Sequence, residues 1–509
     1  MLTLGDPGKA RVAPAYWLTR FAFFRLLGLV YTVAFLAVVF QWEPLLGSRG
    51  LLPAATFLER VRSASGGGLG AFLRLPTLFW LGASDGTFRL AAFVGLGLSL
   101  ALLLGFANVP GLLALWLLYM SFVHAGQIFY GYGWEILLLE TGFLAIFLAP
   151  LWRPWPFPRG APPSPVVIAL LRWLALRLML GAGLIKLRGD PCWRDLTCLL
   201  FHYETQPNPN PLSWYFHQLP AWFHRLEVLY NHLVELVAPF FVFGPRRARL
   251  AAGGFMALFQ VLLILSGNLS FLNWLTLAVV VACFDDGVFR RLLPGHLTAR
   301  LDVAIAGAIE TKPRGLACYA LLAVVAVLSL NPVGNMLSPG QMMNTSFDPF
   351  DLVNTYGAFG SIGRERFEVV LEGTDGDPGD PGARWLEYEL KCKPGDPARR
   401  PCWISPYHYR LDWQMWFLAM PGAPTDAWFV HLVAKLLEGD RAARGLLAPG
   451  PFEERPPRGI RARYYRYQMT TRGEATSDYW KRTLVGAYLP PLRRDDPRLQ
   501  AFLRQQGWR

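Results

Sequence analysis

Apolar runs of about 20 residues recur through the first 330 residues of this chain, and each is long enough to cross a hydrocarbon core about 30 Å thick as a helix. Inside a bilayer the backbone of such a run has no water to bond, so a single run closes its hydrogen bonds on itself as a helix. The runs fall near 16–40, 87–106, 110–129, 135–151, 166–187, 226–243, 248–266, 270–285 and 315–331. They predict an all-α polytopic N-terminal bundle of about nine transmembrane helices over 1–332. The first run is too long for a cleaved signal and keeps Arg20 and Arg25 near its start, so it reads as a retained helix.

After Asn331-Pro332 the chain turns polar, and 333–509 is expected to be an extracytoplasmic β-rich or α+β domain. Alternating stretches at 366–373, 384–393 and 460–469 read as half-buried strands, with helical pieces near 410–420 and 427–438. Only 17% of the 509 residues are charged, against about 25% in soluble proteins, which agrees with a membrane domain.

The net charge of +13 does not point to nucleic acid, because the basic residues sit in short loops and form no stripe with interleaved aromatics. With a polar arm at 1–15 (Lys9, Arg11) inside, the inner loops are 107–109, 152–165, 244–249 and 286–314. Three of these four are basic, through residues such as Arg153, Arg159, Arg246, Arg249, Arg290 and Arg314. The outer segments are 42–86, 130–134, 188–225, 267–269 and everything after 332. Loop 42–86 departs from the rule with Arg49, Arg60, Arg62 and Arg74, and its amphipathic pieces are expected to lie along the interface. Only 7 of the 49 basic residues are Lys, a bias that points to a GC-rich bacterial genome and an inner membrane, or the endoplasmic reticulum membrane if the host is eukaryotic.

Reactive side chains concentrate in Gly181–Pro220, with Lys186, Arg188, Asp190, Cys192, Cys198, His202, Glu204, a PNPNP tract and His217. Lys186 can serve as a base in apolar surroundings, or pair with Asp190 or Glu135. Glu135 and Glu140 are costly in hydrocarbon and need partners, with Lys186, Arg172 and Arg177 as candidates. They can also line an outward-facing cavity that His124 and Gln127 could join.

Cys192–Cys198 and Cys392–Cys402 are expected as local disulfides on the oxidising side, with a redox role as the alternative, although no C-x-x-C is present. Cys283 and Cys318 fall within spans as packing residues. His202, Glu204, His217, His224 and His232 lack ligand spacing, so no metal is expected. Serine-hydrolase, P-loop and dinucleotide signatures are absent, so no cofactor is expected, although a lipid or quinone would suit an outer cavity. Asn268 and Asn344 begin N-x-S/T sequons, which a bacterial host would leave unmodified.

Several long stretches carry a family resemblance. They include QWEPLLGSRGLLP, YGYGWEILLLETGFLAIFLAP, GLIKLRGDPCWRDLTCLLFHYETQPNPNPLSWYFHQLP, ILSGNLSFLNWLT, LVNTYGAFGSIGRERFEVVLEGT and PYHYRLDWQMWF. The chain resembles the lipase maturation factor family along nearly its whole length. That resemblance implies a multi-pass membrane protein with a lumenal C-terminal domain that assists folding and assembly of secreted dimeric lipases. Its partners would be membrane lipids and exported clients. Trp193, His202, Asn208, Asn210, Trp214, His217, Asn354 and Tyr356 are then expected on the client-facing surface.

A shorter likeness lies at Ala182-Gly183-Leu184-Ile185-Lys186-Leu187, which resembles a membrane-embedded motif of vitamin K-dependent γ-carboxylases. It implies a membrane enzyme acting on a lipid, quinone or exported polypeptide, with Lys186 as base and Glu135 or Glu140 as acid partner. A folding factor and an enzyme are thus the two leading expectations; a transporter is a third, made less natural by the large outer domain.

Overall fold

Helices form where the apolar runs lie. The computed structural model describes residues 15–155, 161–292, 294–306 and 312–508; the arm with Lys9 and Arg11, and Arg159, fall outside them. The first helices are α1 (Trp17–Leu46), α2 (Ala54–Ala64), α3 (Gly68–Arg74), α4 (Asp85–Leu104), α5 (Val109–Ala125), α6 (Gly133–Leu148) and α7 (Pro165–Arg188). Short helices α8 (Pro191–Arg194), α9 (Leu199–Thr205) and α10 (Pro211–His217) follow, then α11 (Ala221–His232), α12 (Arg246–Ser266) and α13 (Leu272–Val280). The last of this part are α14 (Asp286–Phe289), α15 (Gly295–Ala306), α16 (Lys312–Leu328) and α17 (Leu330–Leu337).

Among the described residues six helical segments are long and apolar enough to cross a membrane: Trp17–Leu46, Asp85–Leu104, Pro165–Arg188, Ala221–Phe243, Arg246–Ser266 and Lys312–Leu337. The expected count of nine therefore reduces to six by length. Shorter helices α5, α6 and α13 occupy the other three positions. The apolar runs there include turn residues: α5 gives way to a 3-10 turn at Gln127–Tyr130, and α6 ends before Pro150. The first span shows the opposite error. α1 runs six residues beyond the expected end at Phe40, through Pro44. Its last turns are held from outside the bundle, because Gln41 donates to the His408 carbonyl at 2.9 Å and accepts from the Arg410 amide at 2.9 Å.

α1 and α7 are the most enclosed of the long helices, whereas α4, α12 and α16 turn an apolar face outward, with Leu90, Phe93, Leu258, Val261, Leu322 and Val327 exposed. A contiguous apolar exterior of this kind is what lipid tails cover. α1 and α4 approach closely at small residues, as packing between membrane helices favours. A Cβ on Gly28 would stand 2.5 Å from the Leu103 backbone nitrogen.

The helix ends alternate between two faces. At one, Arg20 donates to the Ala161 carbonyl, Asp286 accepts from the Leu18 amide, Arg172 donates to the Ala282 carbonyl, and Arg246 and Arg249 pair with Asp285. At the other, the loops 47–84, 126–132, 189–220 and 267–271 meet the chain after Ser338. Two of the off-rule arginines of loop 42–86 are engaged there: Arg60 donates to the Gln506 carbonyl, and Arg62 lies over the Trp80 ring.

The polar part begins with a small ladder of β1 (Thr345–Ser346) and β2 (Asn354–Thr355). A four-stranded antiparallel sheet follows, in the order β4-β3-β5-β6, from β3 (Arg366–Thr374), β4 (Leu386–Tyr388), β5 (Gly459–Met469) and β6 (Trp480–Arg493). Helices α18 (Arg410–Leu418), α19 (Ala427–Leu437), α20 (Arg441–Arg444) and α21 (Pro497–Gln505) complete it. The strand expected at 384–393 shortens to three residues because the Asp412 carboxylate takes the Cys392 and Lys393 amides at 2.7 and 3.0 Å. β6, with Gly486, Pro490 and Pro491, had no clear strand signal.

Gly28→Leu is expected to destabilise the protein by about 1–3 kcal/mol, since rigid backbone blocks the new side chain. Gly97→Ala, where nothing lies within 4 Å, is expected to be neutral or slightly stabilising. Thermal unfolding of the two variants in detergent micelles checks the contrast.

Candidate functional site

The stretch after α7 is bound down residue by residue. Asp190 caps α8 by accepting from the Cys192 amide, and it accepts from Arg364 at 2.8 Å and from the Ile362 amide. Burial works to raise its pKa, but these hydrogen bonds prevail and hold it below the usual carboxylate value. Cys192 and Cys198 are joined as a disulfide, and both are buried. Trp193 donates from its indole to the Phe359 carbonyl at 2.9 Å.

Arg366, on β3, caps the end of α9. Its guanidinium donates to the carbonyls of Glu204, Gln206 and Pro207, at 2.9, 2.5 and 3.0 Å. Glu204 in return accepts the Met469 amide at 2.7 Å, though burial raises its pKa. Asn210 caps α10 and donates to the Ile264 and Leu265 carbonyls at the end of α12. Trp214 and Gln218 bond to Thr470. The second disulfide, Cys392–Cys402, is held from the bundle side by Asn268, which donates to the Cys402 carbonyl and accepts from the Ile404 and Ser405 amides. This occupies the first sequon fully, with Asn268 1% exposed.

The expected catalytic trio is not brought together. Lys186 pairs with Glu235 at 2.5 Å and with Asn231 at 3.0 Å, and lies 4.9 Å from the Trp193 ring. It meets neither Asp190 nor Glu135, the partners expected for it. Glu135 pairs with Arg410 at 2.7 Å, accepts from Tyr119 and takes the Trp134 indole at 3.0 Å; Glu135 and Arg410 are both 0% exposed. Glu140 pairs with Arg177 and accepts the Tyr356 hydroxyl at 2.7 Å and the Asn354 amide at 3.0 Å. Each carboxylate is closed within its own cluster. His124 is taken by the Pro76 carbonyl and Asp351, and Gln127 by the Leu52 carbonyl, so neither joins a shared cavity.

Of the expected client-facing residues, Trp193, Asn208, Asn210, Asn354 and Tyr356 are buried in this joint, where a client could not touch them. Trp214 and His217 are half-buried. His202 is buried but lines two spaces. One, of about 190 Å³, lies between α7, the 221–243 span, α12 and α13, and includes Lys186, Glu227, Glu235 and Asn273 in its wall. The other, of about 310 Å³, lies between α9, the 359–367 segment and the end of α18. Glu235 was the missed partner. A lone carboxylate in the apolar run LVELV was the available signal, because an ionisable group at that depth marks an interior contact. Among the described residues no three His, Cys, Asp or Glu side chains are placed to hold a metal ion. Cys283 and Cys318 are unpaired and buried.

The geometry defines a class: a polytopic helical membrane protein whose polar C-terminal chain is locked to one end of the bundle by the buried Glu135–Arg410 pair and a set of hydrogen bonds. Family models describe both parts, the lipase maturation factor transmembrane domain over residues 18–291 and the lipase maturation factor C-terminal domain over 352–490. This chain belongs to the lipase maturation factor family. It is 49% identical to lipase maturation factor 1 of Bos taurus, over 99% of this chain and 93% of that protein. With lipase maturation factor 1 of Homo sapiens the identity is 48%, over 99% and 92%. With lipase maturation factor 2 of Rattus norvegicus it is 32%, over 94% and 83%. No solved structure matches the chain. These relatives are vertebrate proteins and lend no support to the bacterial host read from arginine usage.

Arg410→Ala is expected to cost about 3–5 kcal/mol, because it leaves the Glu135 carboxylate buried and unpaired. Combining it with Glu135→Gln should recover a large part of that loss in thermal unfolding.

Acidification should also loosen the joint. Burial, with Lys186 nearby, holds His202 down to about 4, and burial holds His431 down to about 4. Burial likewise lowers His217 and His408. Between the ordinary histidine value near 6.5 and about 4 the unfolded chain binds protons that the folded chain refuses, so stability falls as pH drops through that window. Asp412, pushed up to about 6 by burial, works in the opposite sense, as do Glu204, Asp348 and Glu389, which burial raises by less; the histidine shifts dominate. The melting temperature is therefore expected to be lower at pH 5 than at pH 7, with a smaller drop in His202→Phe.

Proposed function

We propose that this chain is a membrane-bound maturation factor that helps exported, lipase-like proteins to fold and assemble. The observation that carries the reading is 48–49% identity, along 99% of the chain, to proteins named lipase maturation factor 1. The alternation of helix ends supports nine crossings, the short α5, α6 and α13 being enclosed by longer neighbours that set the bilayer thickness. On that reading residues 333–509 form the extracytoplasmic domain, with both disulfides on the oxidising side. In a eukaryotic host the membrane is that of the endoplasmic reticulum.

The client surface we favour is the cleft of about 310 Å³ at the end of α18. Ile362, Phe367, Trp416 and Met420 line it, Glu365 and Arg366 contribute charge, and Phe417 is exposed nearby. An aromatic floor with a charged edge suits an apolar segment that a client has not yet buried. His202 lines this cleft as well, whereas most of the other expected client residues hold the joint that positions it.

Expression of the chain in cells lacking their own maturation factor is expected to restore the activity and secretion of a dimeric lipase. Met420→Glu and Phe417→Glu should cut the yield of active lipase several-fold at unchanged levels of the factor. Absence of rescue by the unaltered chain would sink the reading, and full rescue by both variants would move the client surface elsewhere.

A further inference from the structure

The cavity of about 190 Å³ beneath the joint plays no part in the client reading, and its chemistry is specific. Its walls are mostly apolar, with Met179 on α7, Phe259 and Leu263 on α12, and Leu272 at the start of α13. An apolar cavity of about 150 Å³ already takes a benzene-sized group. Leu262 lines it and also belongs to the exposed apolar face of α12, which places the mouth on the lipid side.

The charged groups in the wall already have polar partners. Lys186 neutralises Glu235, and the Glu227 oxygens accept from the Tyr203 hydroxyl at 2.8 Å and meet His224 Nδ1 at 2.9 Å. What remains unmet is uncharged. Asn273 is 2% exposed; its Nδ2 donates to Gln260 at 2.8 Å, and its Oδ1 has no partner. The His202 ring makes no hydrogen bond among the described residues, and touches Tyr203 and Phe359 by its edges. The backbone is also irregular here. Leu233–Val237 is a π-helical turn that carries Glu235, and such turns concentrate at binding sites. A buried amide oxygen without a donor carries a desolvation penalty, which a ligand hydroxyl would recover.

We propose that this cavity binds a neutral single-chain amphiphile of the monoacylglycerol type, its alkyl part against Met179, Phe259 and Leu263 and a hydroxyl donated to Asn273 Oδ1. Among the described wall residues an anionic head meets no unpaired cation, and both carboxylates, Glu227 and Glu235, already have hydrogen-bond partners. The site stands independently of the client reading: the two spaces share only His202 and Phe359 in their walls, Asn273 and the apolar wall belong to this cavity alone, and it is tested without a client.

The full-length protein in phosphatidylcholine nanodiscs is exposed to photoactivatable analogues of 1-oleoyl glycerol, oleic acid and oleoyl lysophosphatidylcholine, and the labelled peptides are mapped. The glycerol ester is expected to label α7, α12 and α13 around the cavity, saturably, and to be displaced by excess 1-oleoyl glycerol. The other two should label there at least about tenfold less. Asn273→Leu should reduce the saturable labelling about tenfold, and Leu263→Trp, which fills the space, should abolish it. Thr276→Leu narrows another wall and serves as a second filling variant if Leu263→Trp does not fold. Labelling spread over the outer faces of α4 and α16 without displacement would mean bulk lipid only and overturn the proposal. Equal labelling by oleic acid would overturn it too, as would unchanged labelling in the variants.

Discussion

Two carboxylates set the terms for this structure. Glu135 and Glu140 stand on α6, facing into an apolar bundle where an unpaired charge costs several kcal/mol. Helices alone do not neutralise both. Arg177 on α7 serves Glu140, but its hydrogen-bonding shell is completed by the Tyr356 hydroxyl and the Asn354 amide. Glu135 depends on Arg410, at the first turn of α18, whose guanidinium also lies 3.4 Å from the Tyr130 ring centroid. The polar C-terminal chain therefore supplies one counter-charge, Arg410, and the donors that complete the shell of Glu140, and these let α6 sit where it does. Bundle and C-terminal chain are mutually required, which explains why so many joint residues are fully buried.

The same logic governs the stretch from Gly181 to Pro220. Its polar side chains suggest a reactive site in isolation, yet they are spent on holding backbone. Asp190, Asn210 and Glu204 take amides, and Arg366 takes the carbonyls that α9 leaves open at its C-terminus. Such a joint needs polar residues with fixed geometry, and it looks like a catalytic cluster when only its composition is visible. Lys186 and His202 are exceptions in that they face a space, but Lys186, as the donor to Glu235 and Asn231, acts there as a structural cation.

Local pattern carried the fold a long way. The apolar runs located the long helices of the bundle together with α5, α6 and α13, period-two alternation located β3 and β5, and proximity in sequence paired the cysteines as the structure joins them. What escaped has a common cause. α1 continues past Phe40 because Gln41 is bonded by residues more than 360 positions away. The strand at 384–393 is cut short by Asp412, and the partner of Lys186 arrives by way of a π-turn 49 residues on. Each of these is a long-range polar contact, and no periodicity within a window reports one. The family resemblance could name a class of activity but could not say that Asn208 and Asn354 are buried.

His202 and Phe359 form the boundary between the two spaces, since both residues line the membrane-level cavity and the outer cleft. Phe359 holds a left-handed backbone, φ 53°, which an aromatic residue adopts only under constraint from its surroundings. The constraint is visible. The Trp193 indole fixes its carbonyl, and the next carbonyl, of Gly360, takes the Asp190 amide at 2.9 Å. The partition is thus set by the short helix α8 and its disulfide, which places a neutral imidazole and a ring, rather than a charge, between lipid-level and water-level chemistry. A charged group at that position would draw water into the apolar cavity; the lowered basicity of His202 keeps the wall neutral, and so keeps the two spaces chemically distinct.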